Sequence, residues 1–140
     1  MTTPLSIRFD QGLLARLRRR AAAATGGNTS TLAQRLIDEG LRMADHPGVV
    51  FKDGPTGPRA ALAYGPDIWE IVKFLREVDE RGPAALDAAA EVFALDAGRI
   101  AAALSYYGDY RDEIDAEIAQ ADEESGRAEA AWRAQQQLIS

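Results

Sequence analysis

At 140 residues the chain is about one domain long, or two small modules on a linker, which excludes large enzyme folds such as a (β/α)8 barrel. It is 46% hydrophobic and 27% charged with 12 Gly and 6 Pro, the profile of a folded, soluble protein, and having no Cys it can form no disulfide, thiol nucleophile or thiolate metal site. The net charge of −6 argues against nucleic acid until it is split along the chain. Residues 1–45 hold Arg8, Arg16, Arg18, Arg19, Arg20, Arg35 and Arg42 against Asp10, Asp38, Glu39 and Asp45, a surplus of +3. Residues 46–66 add +1, while 67–109 and 110–140 each carry −5. A basic head on an acidic body points to an anion-binding end and a different partner at the other end. No stretch of 18 apolar residues occurs, and Met1 to Ser6 lacks the basic start and apolar run of a secretory signal. A cytoplasmic protein with no membrane partner is expected.

In chain order, Leu5-Ser6-Ile7-Arg8-Phe9 alternates apolar and polar residues and predicts a strand, with Leu5, Ile7 and Phe9 on one face and Ser6 and Arg8 on the other. Asp10 is placed to cap a helix carrying Leu13, Leu14, Leu17, Ala21 and Ala24 at three- and four-residue spacing, ended by Gly26-Gly27. Thr29 or Ser30 caps a second helix, with Leu32, Leu36, Ile37, Leu41 and Ala44 on one face, which stops at His46-Pro47-Gly48. A lone five-residue strand leaves both edges unpaired, and a segment this short seldom buries a stable core alone. A two-fold dimer solves both problems: the strand pairs with its own copy and four helices close around it.

The stretch "LSIRFDQGLLARLRRRA" followed by "GGNTSTLAQRLIDEGL", from Pro4 to Met43, resembles the ribbon-helix-helix family of DNA-binding proteins. In such a dimer the paired ribbon enters the major groove and its outward side chains meet base edges. Ser6 and Arg8 are the outward pair, with Pro4 one step earlier, and Arg8 is suited to guanine O6 and N7; the same side chain can also simply solvate the strand's outer face. Thr29, Ser30 and Thr31 offer hydroxyls and amides at a helix start, which suits a phosphate as well as an ordinary N-cap. Of the cluster Arg16, Arg18, Arg19 and Arg20, one or two are expected on the DNA backbone, Arg16 among them.

Two apolar runs around Gly54-Pro55 and Gly57-Pro58 predict a β-hairpin over Val49 to Ala63. Asp67 then caps a helix with Ile68, Trp69, Ile71, Val72 and Leu75; Gly82-Pro83 breaks the chain before Ala84 to Ala94, and Asp96 caps a third helix through Tyr107. This three-helix segment is helix-turn-helix-like, but Arg99 is the sole cation of its candidate recognition helix, so protein packing is the better reading than DNA. "GPDIWEIVKFLRE" with "ALSYYGDYRDEIDAEI" also resembles a small domain found in prokaryotic antitoxins.

The tail from Glu113 to Gln137 continues as helix, with Ile114, Ile118, Ala121, Ala128, Ala131 and Trp132 too sparse for a strong core, so it is expected to order on a partner. Asp109, Asp112, Glu113, Asp115 and Glu117 have the spacing to share a Mg2+, but no His, Lys or Ser constellation accompanies them, so neither an enzyme nor a cofactor is expected. His46 is expected at a helix C-terminal dipole.

Four segments follow: a ribbon-helix-helix head (1–46), a hairpin linker (47–66), a helical module (67–109) and an acidic helical tail (110–140), a mainly α fold. The whole resembles a type II antitoxin of the VapB/CopG-like kind. That resemblance implies a homodimer or higher oligomer which represses its own operon through operator DNA and neutralises a cognate toxin, usually a PIN-type ribonuclease. Toxin-facing positions are then Tyr110, Ile114, Ile118, Arg127, Trp132, Arg133 and Leu138. The alternative is a stand-alone repressor whose C-terminal domain senses a ligand or oligomerises.

Overall fold

A computed structural model describes residues 1–24 and 27–140 and divides the chain into two units, Met1–Ala44 and Asp45–Ser140. In the first, Asp10 caps α1 (Gln11–Ala23): its Oδ2 accepts from the Leu13 N–H at 3.1 Å. The cap of α2 (Thr29–Asp45) is Asn28, whose Oδ1 accepts from the Thr31 N–H at 3.0 Å, and not Thr29 or Ser30 as expected. Asn satisfies an orphan amide as well as Ser or Thr does, and it stands immediately before the first helical residue. The Gly26 half of the expected helix stop lies outside the described residues, while Gly27 adopts a left-handed φ of 43°.

The strand expected over Leu5 to Phe9 is not formed; Met1 to Asp10 carries no regular secondary structure. A single copy offers this segment no neighbouring ladder, and a strand exists only by pairing. Its apolar face is left in solvent, with Leu5, Ile7 and Phe9 exposed by 81%, 50% and 37%. Among the described residues of this unit only Ala21 and Leu32 are buried hydrophobics, while Leu13, Ile37, Leu41 and Met43 are exposed.

The second unit has a real core. The hairpin forms as expected from β1 (Val49–Lys52) and β2 (Arg59–Leu62), antiparallel with Val49 opposite Leu62 and Lys52 opposite Arg59. Its connection is closed by Gly57, which donates to the Gly54 carbonyl at 3.0 Å and holds φ 108°, a conformation that favours glycine. Three helices follow at the expected places: α3 (Ile68–Glu77), α4 (Pro83–Phe93, with Pro in its first turn) and α5 (Ala97–Asp109, capped by Asp96 on the Arg99 N–H at 2.8 Å). α4 ends on left-handed Ala94, and the Leu95 N–H returns to the Ala90 carbonyl at 2.9 Å, which turns Leu95 into the core.

One long helix, α6 (Arg111–Ile139), completes the chain. Here the tail expectation is corrected at its first half. Ile114 and Ile118, one helical turn apart, are buried in the same core as Val49, Leu62, Ile68, Ile71, Ile100 and Tyr106. The Tyr106-Tyr107 pair that closes α5 explains how: Tyr106 Oη donates to Glu113 and Tyr107 Oη to Asp115, each at 2.8 Å, so two phenols receive the start of the acidic helix. Lys73 and Arg76 on α3 pair with Asp122 and Asp115. The hairpin, the three helices and the first turns of α6 therefore share one core, and the helix order needs no partner up to about Asp122. From Asp122 onward every residue is exposed.

Candidate functional site

Three places in the two units carry exposed chemistry. In the head, Ser6, Arg8, Arg16, Ser30 and Thr31 are exposed and Thr29 is half-buried. Among the described residues Arg8, Arg16, Arg18, Arg19 and Arg20 form no ion pair, whereas Arg35 pairs with Glu39 and Arg42 with Asp38. The basic surplus of the head is therefore concentrated on α1 and the segment before it. The Thr31 amide is already held by the Asn28 cap, so of the three hydroxyl residues the amides of Thr29 and Ser30 remain as first-turn donors with no intrahelical acceptor.

On α6, Arg127, Trp132, Arg133 and Leu138 are exposed, with Arg133 held by Glu129 and Arg127 near Glu123 on their own helix. Ile114 and Ile118 belong to the core and present no surface to a partner. Tyr110 is half-buried between helices, its ring 4.6 Å from that of Tyr106. His46 does more than follow a helix end: it is buried edge-on to Tyr106 and Tyr110, with Nε2 2.9 Å from Asp109 Oδ2. Three of the five acids that could have shared a metal have other tasks, Asp109 on His46, Glu113 on Tyr106 and Asp115 on Tyr107 and Arg76. Arg76 and the Tyr107 hydroxyl also keep the Asp115 carboxyl below its usual range, the hydroxyl being the larger cause. Among the described residues no three His, Asp or Glu side chains are grouped to hold a metal ion.

The third place was not legible in the sequence. A pocket of about 360 Å³ opens between the hairpin, the start of α3 and α6, lined by Pro55, Thr56, Arg59, Asp67, Trp69, Glu70, Glu117, Gln120, Ala121 and Glu124. Its floor is an ordered network. Arg59 Nε donates to Asp67 Oδ2 at 2.6 Å, the Trp69 indole N–H donates to the same oxygen at 3.1 Å, and Glu70 Oε2 accepts from the Asp67 N–H at 2.8 Å. The bond to Asp67 holds the Arg59 guanidinium above its ordinary pKa. Asp67, read from the sequence as a helix cap, thus also organises the pocket.

Glu117 faces this network from α6. One of its oxygens, Oε2, is sequestered from solvent with no hydrogen-bond partner among the described residues. Burial, reinforced by Glu113 and Asp67 and opposed by Arg59, pushes its carboxyl up to about 7. A half-buried acid on the wall of a preformed pocket is a candidate functional group. Arg99, the one cation of α5, is bound to the Ala63 carbonyl and serves the fold. Among the described residues no helix is long and apolar enough to cross a membrane. No protein-family model, curated protein or solved structure matches the chain.

Proposed function

We propose that the chain is a DNA-binding repressor whose head works as a ribbon-helix-helix dimer, and that the exposed end of α6 seizes a partner protein, in the manner of an antitoxin holding a ribonuclease. The observation that supports this most is the uncovered apolar face of the first unit. Among the described residues of this unit, Leu5, Ile7 and Phe9 alternate along a segment with no partner strand, Leu13, Ile37, Leu41 and Met43 are exposed as well, and only Ala21 and Leu32 are buried hydrophobics. A unit this small with so little core is stabilised by a second copy. Pairing the segment with its own copy would satisfy the backbone and bury that face, leaving Ser6 and Arg8 outward on a surface that carries the +3 surplus.

A second reading has its own support. The pocket between the hairpin, α3 and α6 suits a repressor that senses a small ligand, with no toxin involved.

Two measurements separate these readings. The first is binding of the chain to DNA from upstream of its own coding sequence, followed by fluorescence anisotropy across a salt series. Repression predicts affinity that falls steeply with salt, because phosphate contacts release counterions; binding absent at low salt refutes it. The second is co-expression with the product of the adjacent reading frame. An inactive co-purifying ribonuclease, released by truncation after Asp122, supports the antitoxin role. No complex together with sound DNA binding leaves the sensing repressor.

A further inference from the structure

From Asp122 every residue of α6 is exposed, yet the helix runs on to Ile139, about 27 Å further along its axis. The face that α6 turns to the core runs on with it. Counted from the buried pair Ile114 and Ile118, that face returns at alternating steps of three and four residues, at Ala121, Ser125, Ala128, Trp132, Gln135 and Ile139. This is the seam register of a coiled coil, held from the core to the end of the helix. Ile114 and Ile118 are covered within the chain, whereas Trp132 and Ile139 are exposed by 59% and 75%.

What covers the first part of the seam shows what fits the rest. α3 shares the core with it, through Ile71 and Val72 beside Ile114 and Ile118. α3 also places Arg76 on Asp115 and Lys73 on Asp122, two acids one heptad apart that flank the seam on the same side. The covering helix is thus apolar along the seam and basic at its flank, and it runs antiparallel to α6. One heptad past Asp122 the same flanking position is Glu129, and Glu124 borders the other side of the seam. Arg127 and Arg133 lie away from the seam and pair with Glu123 and Glu129 of α6 itself; exposed pairs of this kind contribute little and yield to an incoming cation. A second copy of α6 sets acids against acids, Glu124 against Glu129 when parallel, and Glu129 against Asp122 or its own counterpart when antiparallel. Like charges facing one another across a seam select against that pairing.

We propose that the bare part of this seam takes one helix of a partner protein, apolar along its contact face and basic at its flanks, which continues along α6 the coverage that α3 begins. Small Ala121, Ser125 and Ala128 leave room for large side chains of the partner, and Trp132 anchors the far end. The proposal rests on the reading of α6 as a partner-binding arm and names the chemistry of what it holds. It requires neither a ribonuclease nor DNA.

The test titrates the full chain into fluorescein-labelled helical peptides of about three heptads, read by anisotropy. One peptide carries Leu along its seam and Lys at its flanks, a second has the same seam with Glu at its flanks, and a third is the chain's own segment 117–139. Saturable binding of the Lys-flanked peptide is expected, with the other two at least about tenfold weaker. Two variants then assign the face. Ala128→Glu and Ala130→Glu add the same charge to the same exposed stretch, so general attraction for a cationic peptide rises alike, but only position 128 lies on the seam. Ala128→Glu should weaken the Lys-flanked peptide about tenfold, because its carboxylate is buried without a partner, and Ala130→Glu should not. Both positions are exposed, so the fold is not at risk. No saturable binding, equal affinity for Lys-flanked and Glu-flanked peptides, or equal effects of the two variants overturns the proposal. Tightest binding of segment 117–139 also overturns it and assigns the seam to a second copy. Seam-dependent peptide binding with no co-purifying ribonuclease upholds this proposal and removes the antitoxin role; a ribonuclease complex without seam-dependent peptide binding does the reverse.

Discussion

Replacing Glu117 by Gln gives the sharpest stability prediction. The carboxyl lies at about 7 in the folded chain against an ordinary 4.5. Between these values the folded chain keeps a proton that the unfolded chain has released, so rising pH through this window costs stability. Full sequestration would make the shift worth about 3 kcal/mol. The group is only half-buried, and solvent screening reduces this to about 1–2 kcal/mol. Gln has nearly the same shape and never ionises. Urea unfolding at pH 4 and pH 8 should therefore find Glu117→Gln close to the parent at the lower pH and about 1–2 kcal/mol more stable at the higher. Since every other titrating group is common to both proteins, the difference isolates this one carboxyl. A difference that does not change with pH refutes the reasoning, because it would mean that the charge of Glu117 is as well accommodated in the folded chain as in water.

The remaining predictions concern the core, the caps and the head. Ile71 is fully buried, and Ile71→Ala should cost about 2–5 kcal/mol in urea unfolding, whereas Leu138→Ala, at an 85% exposed position, should change stability by less than about 0.5 kcal/mol. Asn28→Ala removes the α2 cap and should cost about 1 kcal/mol, with Asn28→Ser restoring most of it, read by helical circular dichroism on thermal unfolding. Arg8→Ala should lose about 1–3 kcal/mol of operator discrimination while leaving the fold intact, and Arg16→Ala should weaken binding equally on all sequences and reduce the salt slope by about one; anisotropy with operator and scrambled DNA distinguishes the two.

Much of the fold was legible because it is written locally. Asp10 and Asp96 each accept from an amide three residues on, as their position before an apolar-periodic run implies, and of the Gly-Pro joints Gly65-Pro66 falls between elements and Gly82-Pro83 opens α4. The hairpin likewise follows from two apolar runs around a Gly/Pro turn. What was not legible depends on distant partners. Ile114 and Ile118 looked too sparse for a strong core, yet they meet Ile71 and Tyr106 in one core, and the number of apolar residues on α6 mattered less than what α3 and α5 present to them. The pocket joins residues from β2, α3 and α6, and nothing near Glu117 in the sequence distinguishes it from the solvated acids around it. Sequence spacing did suggest a shared cation for the acids from Asp109 to Glu117, but Tyr106, Tyr107, Arg76 and His46 engage most of them. The strand at Leu5 to Phe9 is the opposite case. Its alternation is plain in the sequence, but a single chain has nothing to pair it with.

That segment is also where the account is most directly tested. Sedimentation equilibrium of the full chain at micromolar concentration should return twice the 15.1 kDa chain mass or a multiple of that dimer, and Ile7→Lys, which puts a charge on the face proposed to be buried, should return the single-chain mass and abolish operator binding together. A chain that sediments at 15.1 kDa without the substitution, or one that stays dimeric with Ile7→Lys, contradicts the proposed ribbon-helix-helix head.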